Sequence, residues 1–131
     1  MNGHGVVLIV DDNPSIARSL VSLLSASGFD AQAVNSGAAA LSFVSSHAAV
    51  ALILLDMSLP DMSGVDVLRT MRVPGGFPHS PPIVMFAGDD DEALRDGLIE
   101  LGATDVVSKT NPGGLLRVVA AYVRPTKSPR A

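Results

Sequence analysis

The stretch ALILLDMSLPDMSG, residues 51–64, decides how the rest of the chain is read. Leu52 to Leu55 form an unbroken aliphatic run closed by a turn signal, the pattern of a strand buried on both faces of a parallel sheet. Asp56 ends that run. A carboxylate at the carboxyl end of a central strand sits where open α/β sheets place their chemistry, in the crevice beyond the strand tips. The segment from Leu59 through Pro60 to Gly64 then wraps a loop around it. The plainer role for Asp56 is to cap the turn before Pro60.

Working outward, strand-like runs alternate with helical periods. Val6 to Val10 reads as a first strand that stops at Asp11-Asp12. Asn13 offers an N-cap and Pro14 suits the first helical position, so a helix begins there, with Ile16, Leu20, Leu23 and Leu24 on one face and Gly28 as its stop. Asp30 to Val34 is a short strand. Ser36 and Gly37 open an Ala-rich helix whose Ala40, Leu41, Val44 and Ala48 face inward and which ends near His47. Beyond the loop, Val65, Leu68 and Met71 mark a third helix. Val73 to Pro82, with four Pro and two Gly, is a surface loop. Ile83 to Phe86 is a fourth buried strand. The acidic run Asp89 to Glu92 falls on the first turn of the next helix, where it complements the dipole. Gly97 interrupts that helix and, at a cost of about 1 kcal/mol relative to Ala, makes it the least stable in the fold. Gly102 ends it, Val106-Val107 forms a brief fifth strand with Lys109 at its tip, and Asn111-Pro112 starts a last helix, Gly113 to Val123.

Five β-α units imply an α/β fold: a doubly wound, five-stranded parallel sheet of flavodoxin-like order 2-1-3-4-5, with right-handed crossovers and helices on both faces. At 131 residues and 47% hydrophobic, the chain is expected to form one globular domain over residues 5–124. Residues 125–131 read as a tail or linker, since Arg124, Lys127 and Arg130 are interspersed with Pro125 and Pro129. The absence of Cys excludes disulfides and thiolate metal sites and suits the cytoplasm. No apolar run approaches the roughly 20 residues of a membrane span. A net charge of −4 argues against direct nucleic-acid binding. His4, His47 and His79 lack ligand spacing and read as surface residues.

The expected strand order carries a chemical consequence. Strands 1 and 3 are neighbours, so Asp11 and Asp12 stand beside Asp56, and Lys109 reaches over from strand 5. Crowded carboxylates repel unless they share a cation. A hard ion such as Mg²⁺, which prefers oxygen ligands and tolerates few protein donors, fits that need. A carboxylate in such a site can attack phosphorus, with the metal and Lys109 offsetting charge on the transferring group. Taken singly, Asp11 and Asp12 also read as turn residues before Asn13-Pro14, and Lys109 as an ordinary exposed lysine.

As a set, Asp11-Asp12 after the first strand, Asp56 in LLDMSLPDMSG and Lys109 after the fifth strand resemble a response-regulator receiver domain of two-component signalling, over about residues 5 to 124. The resemblance implies that Asp56 is the phosphoacceptor, served by a histidine kinase or phosphotransfer protein. It further implies that Asp11, Asp12, Asp56 and the backbone carbonyl of Ser58 hold Mg²⁺ and that Lys109 contacts the phosphoryl group. Pro60 and Gly64 match the loop Pro and closing Gly of that family.

Three positions depart from the pattern. The hydroxyl residue usual at the tip of the fourth strand is replaced by Ala87, and no Ser or Thr occurs from Pro81 to Leu101. Val106 stands where an aromatic switch residue is usual, and Thr110 where a Pro follows the lysine. Receiving phosphate is therefore expected to be intact and its readout unconventional. The runner-up reading is a pseudo-receiver, an interaction module working without phosphate. A third, a phosphohydrolase of haloacid-dehalogenase type, needs a second Asp two residues after the nucleophile, where this chain has Ser58. The chain thus reads as a signalling module rather than an enzyme, either stand-alone or part of a longer protein. It is expected to act on an unidentified downstream protein, as a monomer or a weak dimer, through the fourth helix, fifth strand and last helix. On that last helix, Leu115, Val118, Val119 and Tyr122 form one apolar face and Leu116, Ala120 and Val123 a second.

Overall fold

Side-chain alternation along the central strands sorts the apolar residues into two cores, one on each face of a single sheet. In the computed structural model, which describes residues 5–46, 49–74, 81–88, 92–108 and 112–125, the elements alternate without exception. They are β1 (Val6–Val10), α1 (Pro14–Ala26), β2 (Asp30–Val34), α2 (Gly37–Ser46), β3 (Val50–Asp56), α3 (Gly64–Arg72), β4 (Ile83–Ala87), α4 (Glu92–Glu100), β5 (Asp105–Ser108) and α5 (Pro112–Tyr122). The strands are all parallel and ordered β2-β1-β3-β4-β5, as anticipated. Leu8, Val10, Ile53, Leu55, Ile83 and Met85 face one core, which α2, α3 and α4 close with Ala40, Val44, Val67, Leu68, Met71 and Leu98. The alternate residues Val7, Ile9, Leu52, Leu54, Val84 and Phe86 face the other, closed by Leu20 and Leu24 of α1 and Leu115 and Val119 of α5. Burial on both faces is why these strands read as continuous apolar runs rather than as alternating ones.

Local signals set the helix ends. The Asn13 side chain accepts the Ser15 and Ile16 N–H groups at 3.0 and 3.2 Å, and Pro14 occupies the first turn of α1, where no N–H is needed. Gly28 follows with φ +94°, a conformation that side chains disfavour. A capping box starts α3: Ser63 Oγ accepts the Asp66 N–H and the Asp66 carboxylate accepts the Ser63 N–H.

At the opposite end of the sheet, Arg72 is a strut. Its guanidinium donates to Gly102 O at 2.8 Å and Pro81 O at 3.1 Å, while Thr104 Oγ1 accepts the Ile83 N–H. One cation thereby joins the end of α3 to the entrances of β4 and β5, and its burial lowers its pKa from the usual arginine value.

Several details differ from the sequence expectation. Gly97 does not interrupt α4: the helix runs unbroken from Glu92 to Glu100, and Gly97 O accepts the Leu101 N–H. A missing side chain raises the entropic cost of a helical residue without removing a hydrogen bond. On α3, Val67 joins Leu68 and Met71 as fully buried, while Val65 is partly buried against the same core. On α5 the core takes Leu115, Val119 and Val123 at i, i+4, i+8 and leaves Ala120 and Tyr122 exposed, so the two expected faces merge into one stripe plus a solvent side. The strand β5 extends beyond Val106-Val107 to Asp105 and Ser108. The expectations for His4, His47, Ala48, His79, the acidic residues Asp89 to Asp91, Lys109 and Thr110 lie outside the described residues. Among the described residues no helix is long and apolar enough to cross a membrane.

Candidate functional site

The crevice lies where β1 and β3 end side by side. Register pairs Val10 with Leu55, so the next residues, Asp11 and Asp56, emerge together at the carboxyl edge of the sheet. Asp11 remains tied to the sheet through its N–H, which donates to Val34 O at 3.1 Å. Both carboxylates are buried, at 2% and 5% exposure, whereas Asp12 is open to solvent. Each of the three offers an oxygen, and these oxygens all lie within 4.8 Å of one another. The turn reading of Asp11 holds as well: its Oδ1 accepts the Asn13 N–H at 2.9 Å, so one carboxylate both shapes the entry to α1 and faces the cluster. The surrounding crevice, of about 420 Å³, is also lined by Ser58, Pro60 and Gly88.

The donor set decides which metal suits it. The three donors brought together are carboxylate oxygens, with no sulfur and no imidazole among them, and one carboxylate faces water. Hard divalent cations that keep part of their hydration shell, Mg²⁺ above all, match such donors. Two carboxylates at this separation repel by about 3 kcal/mol at an effective dielectric constant of 20, and a shared dication converts that repulsion into attraction. The residues therefore fit Mg²⁺.

The loop after Asp56 closes tightly. Gly64 N–H donates to Met57 O at 2.8 Å, and Ser58 pairs with Ser63 in an isolated antiparallel bridge. Any Cβ on Gly64 would collide with the carbonyl of Asp56, which explains the glycine at this position. Sequence reasoning missed the outer contact of this loop: Asp61 accepts the Gly37 and Ala38 N–H groups of α2, each at 2.9 Å. These bonds, Ala38 first and then Gly37, hold the Asp61 carboxyl below its ordinary pKa of 3.8. A contact spanning 24 residues has no local signature; the one available hint was a glycine opening a helix otherwise rich in Ala.

At the tips of β4 and β5 the groups are different. Ala87 closes β4, buried and in register with Ser108, while Val106 pairs with Met85. A groove of about 420 Å³ runs between α4, β5 and α5, lined by Arg95, Asp105, Val106, Ser108, Arg117 and Tyr122. Arg95 bridges two of its walls, donating to Asp105 Oδ1 at 2.7 Å and to Val106 O at 3.0 Å.

Comparison with known proteins places this geometry. The model of the response regulator receiver domain matches residues 7–120. The chain is 38% identical over 119 residues to the DNA-binding response regulator MtrA of Mycolicibacterium smegmatis, covering 90% of this chain and 50% of that protein. It is 41% identical over 103 residues to the sensory transduction protein RegX3 of Mycobacterium tuberculosis, covering 79% and 43%. The chain thus spans about half the length of the curated relatives it matches. Among solved structures, the signal receiver domain of a putative LuxO repressor protein from Vibrio parahaemolyticus superposes with a TM-score of 0.79 at 30% identity, covering 91% of this chain and 89% of that one. The BeF3-activated N-terminal receiver domain of Klebsiella pneumoniae RstA gives 0.80 at 26%, covering 92% and 99%. A match to the family model over most of the chain, supported by these identities, establishes that the chain belongs to the response regulator receiver domain family of two-component signalling.

Proposed function

We propose that this receiver accepts a phosphoryl group on Asp56 from a histidine kinase or phosphotransfer protein, with Mg²⁺ held by Asp11, Asp12, Asp56 and the Ser58 carbonyl. The observation that carries this reading is the meeting of three carboxylate oxygens within 4.8 Å at adjacent strand tips. An Asp56 oxygen attacks phosphorus, an O–P bond forms and the N–P bond of the donor histidine breaks, its electron pair returning to the imidazole. When bound, Mg²⁺ supplies positive charge against the oxygens of the transferring group. Asp11 and Asp12 would hold the ion, Lys109 would pair with the phosphoryl oxygens, and burial of the Asp56 carboxylate limits the approach of water. Residues 5–124 form the receiver and 125–131 a C-terminal tail or linker.

Output is proposed to pass by protein contact through α4, β5 and α5, whose groove contains the substituted switch position Val106. The relative MtrA is described as DNA-binding, so in a longer protein this face would communicate with a domain of that kind. A second reading, an interaction module that needs no phosphate, draws its support from Ala87 and Val106. Intact mass after incubation with acetyl phosphate and Mg²⁺ separates the two. Gain of one phosphoryl group by the wild type and none by Asp56→Ala is the expected result, and an unmodified wild type would favour the second reading.

A further inference from the structure

The loop that carries the Ser58 carbonyl is anchored at two places. Its base is fixed by the Gly64–Met57 hydrogen bond and the Ser58–Ser63 bridge. Its outer edge is fixed by Asp61, whose two oxygens take the first two N–H groups of α2. The third, from Ala39, goes to Ser36 Oγ at 3.1 Å, so Asp61 and Ser36 together satisfy the opening donors of that helix. A negative charge here also complements the helix dipole. Met62 lies against Gly37 so closely that any Cβ at Gly37 would strike its Cγ and Sδ. Ser58, Pro60, Asp61 and Ser63 are exposed while Met57, Leu59 and Met62 are partly buried against the core, so hydrogen bonds act together with apolar packing to hold this edge in place.

We infer that Asp61 is a positioning residue: by clamping the β3–α3 loop to the N-terminus of α2 it fixes the Ser58 carbonyl and thereby sets the affinity of the acidic pocket for Mg²⁺. The inference rests on the phosphate-receiving reading of the same pocket. The neighbours of a metal ligand commonly govern affinity in this way, and their loss weakens binding by about 10- to 100-fold. Without the clamp, the segment from Ser58 to Asp61 keeps its base anchor and the packing of Leu59 and the neighbouring Met62 but loses its hydrogen bonds to α2, and removing the added freedom is charged against metal binding.

The test is a Mg²⁺ titration followed by amide NMR on the wild type, Asp61→Ala and Asp61→Asn, with Asp56→Ala as control. The Mg²⁺ dissociation constant is expected to rise about tenfold in Asp61→Ala and by less in Asp61→Asn, which retains one acceptor oxygen. Acetyl phosphate should modify Asp61→Ala slowly at low Mg²⁺ and at the wild-type rate at saturation, a split that general destabilisation does not produce. A dissociation constant within about twofold of wild type would overturn the inference. Should Asp61→Ala fail to fold, Asp61→Asn decides by the same twofold criterion. A wild type that binds no Mg²⁺ would instead overturn the phosphate-receiving reading itself.

Discussion

The tips of β1 and β3 and the tips of β4 and β5 lie along one edge of the same sheet, yet they are built to different standards. At the first pair, buried Asp11 and Asp56 meet with exposed Asp12, and the loop behind them is tied down by Gly64, Ser63 and Asp61. At the second pair, Ala87 ends β4 without a hydroxyl, in register with Ser108 at the tip of β5, and Val106, two residues before that tip, carries no ring. In the proposed function, receiving a phosphoryl group and reporting it would be carried by separate strands, and one would be free to change while the other kept its chemistry. A hydrogen bond to a charged group contributes about 1.5–3 kcal/mol, whereas driving a switch from 1:99 to 99:1 needs about 5.5 kcal/mol. In the proposed function, the absence of a side-chain hydroxyl at Ala87 would therefore remove a substantial share of the coupling without touching the acidic pocket.

The contrast can be broken most severely on the acidic side. Gly64→Ala drives a Cβ into the Asp56 carbonyl and should destabilise the fold by about 1–3 kcal/mol in urea unfolding, with Mg²⁺ affinity falling in parallel. A variant as stable as the wild type would show that the loop yields freely. Asn13→Ala removes the cap of α1 at a cost of about 1 kcal/mol, but the backbone N–H that Asp11 accepts is retained. Stability should fall while Mg²⁺ binding holds, and a parallel loss of both would mean the cap orients the pocket. On the readout side, Arg95→Ala deletes a largely exposed ion pair to Asp105 and should cost no more than about 1 kcal/mol.

Acid should also act unequally. The folded Asp61 pKa lies below its unfolded value, so its contribution is fully present above pH 3.8 and is lost as pH falls through the lower, folded value. Hydrogen exchange should therefore show the Gly37 and Ala38 amides losing protection in that acid window before the amides of β4 do. Simultaneous loss would mean that global unfolding, not the clamp, sets the acid limit.

How much of this was legible depended on how far each signal reached along the chain. β1, the Asn13-Pro14 start of α1 and Asp56 at the end of β3 were read from neighbouring residues, because caps and aliphatic runs act locally. The strand order followed from the alternation of strands and helices together with crossover handedness. What escaped was non-local. Arg72 reaching Gly102, and Asp61 reaching Gly37, depend on loops brought together only by the finished sheet. Helical periodicity proposed two faces for α5, and only packing against β5 and β3 selected Leu115, Val119 and Val123. Of the candidate site, the acidic trio was legible and its bracing was not.

The separation of receiving from reporting is tested most directly by amide NMR of the wild type and Ala87→Thr, each with Mg²⁺, before and after beryllofluoride. The account predicts shifts centred on the Asp56 pocket in the wild type, and larger shifts at Val106, Ser108 and α4 once the hydroxyl is restored. Equal responses at β5 and α4 in the two proteins would contradict it.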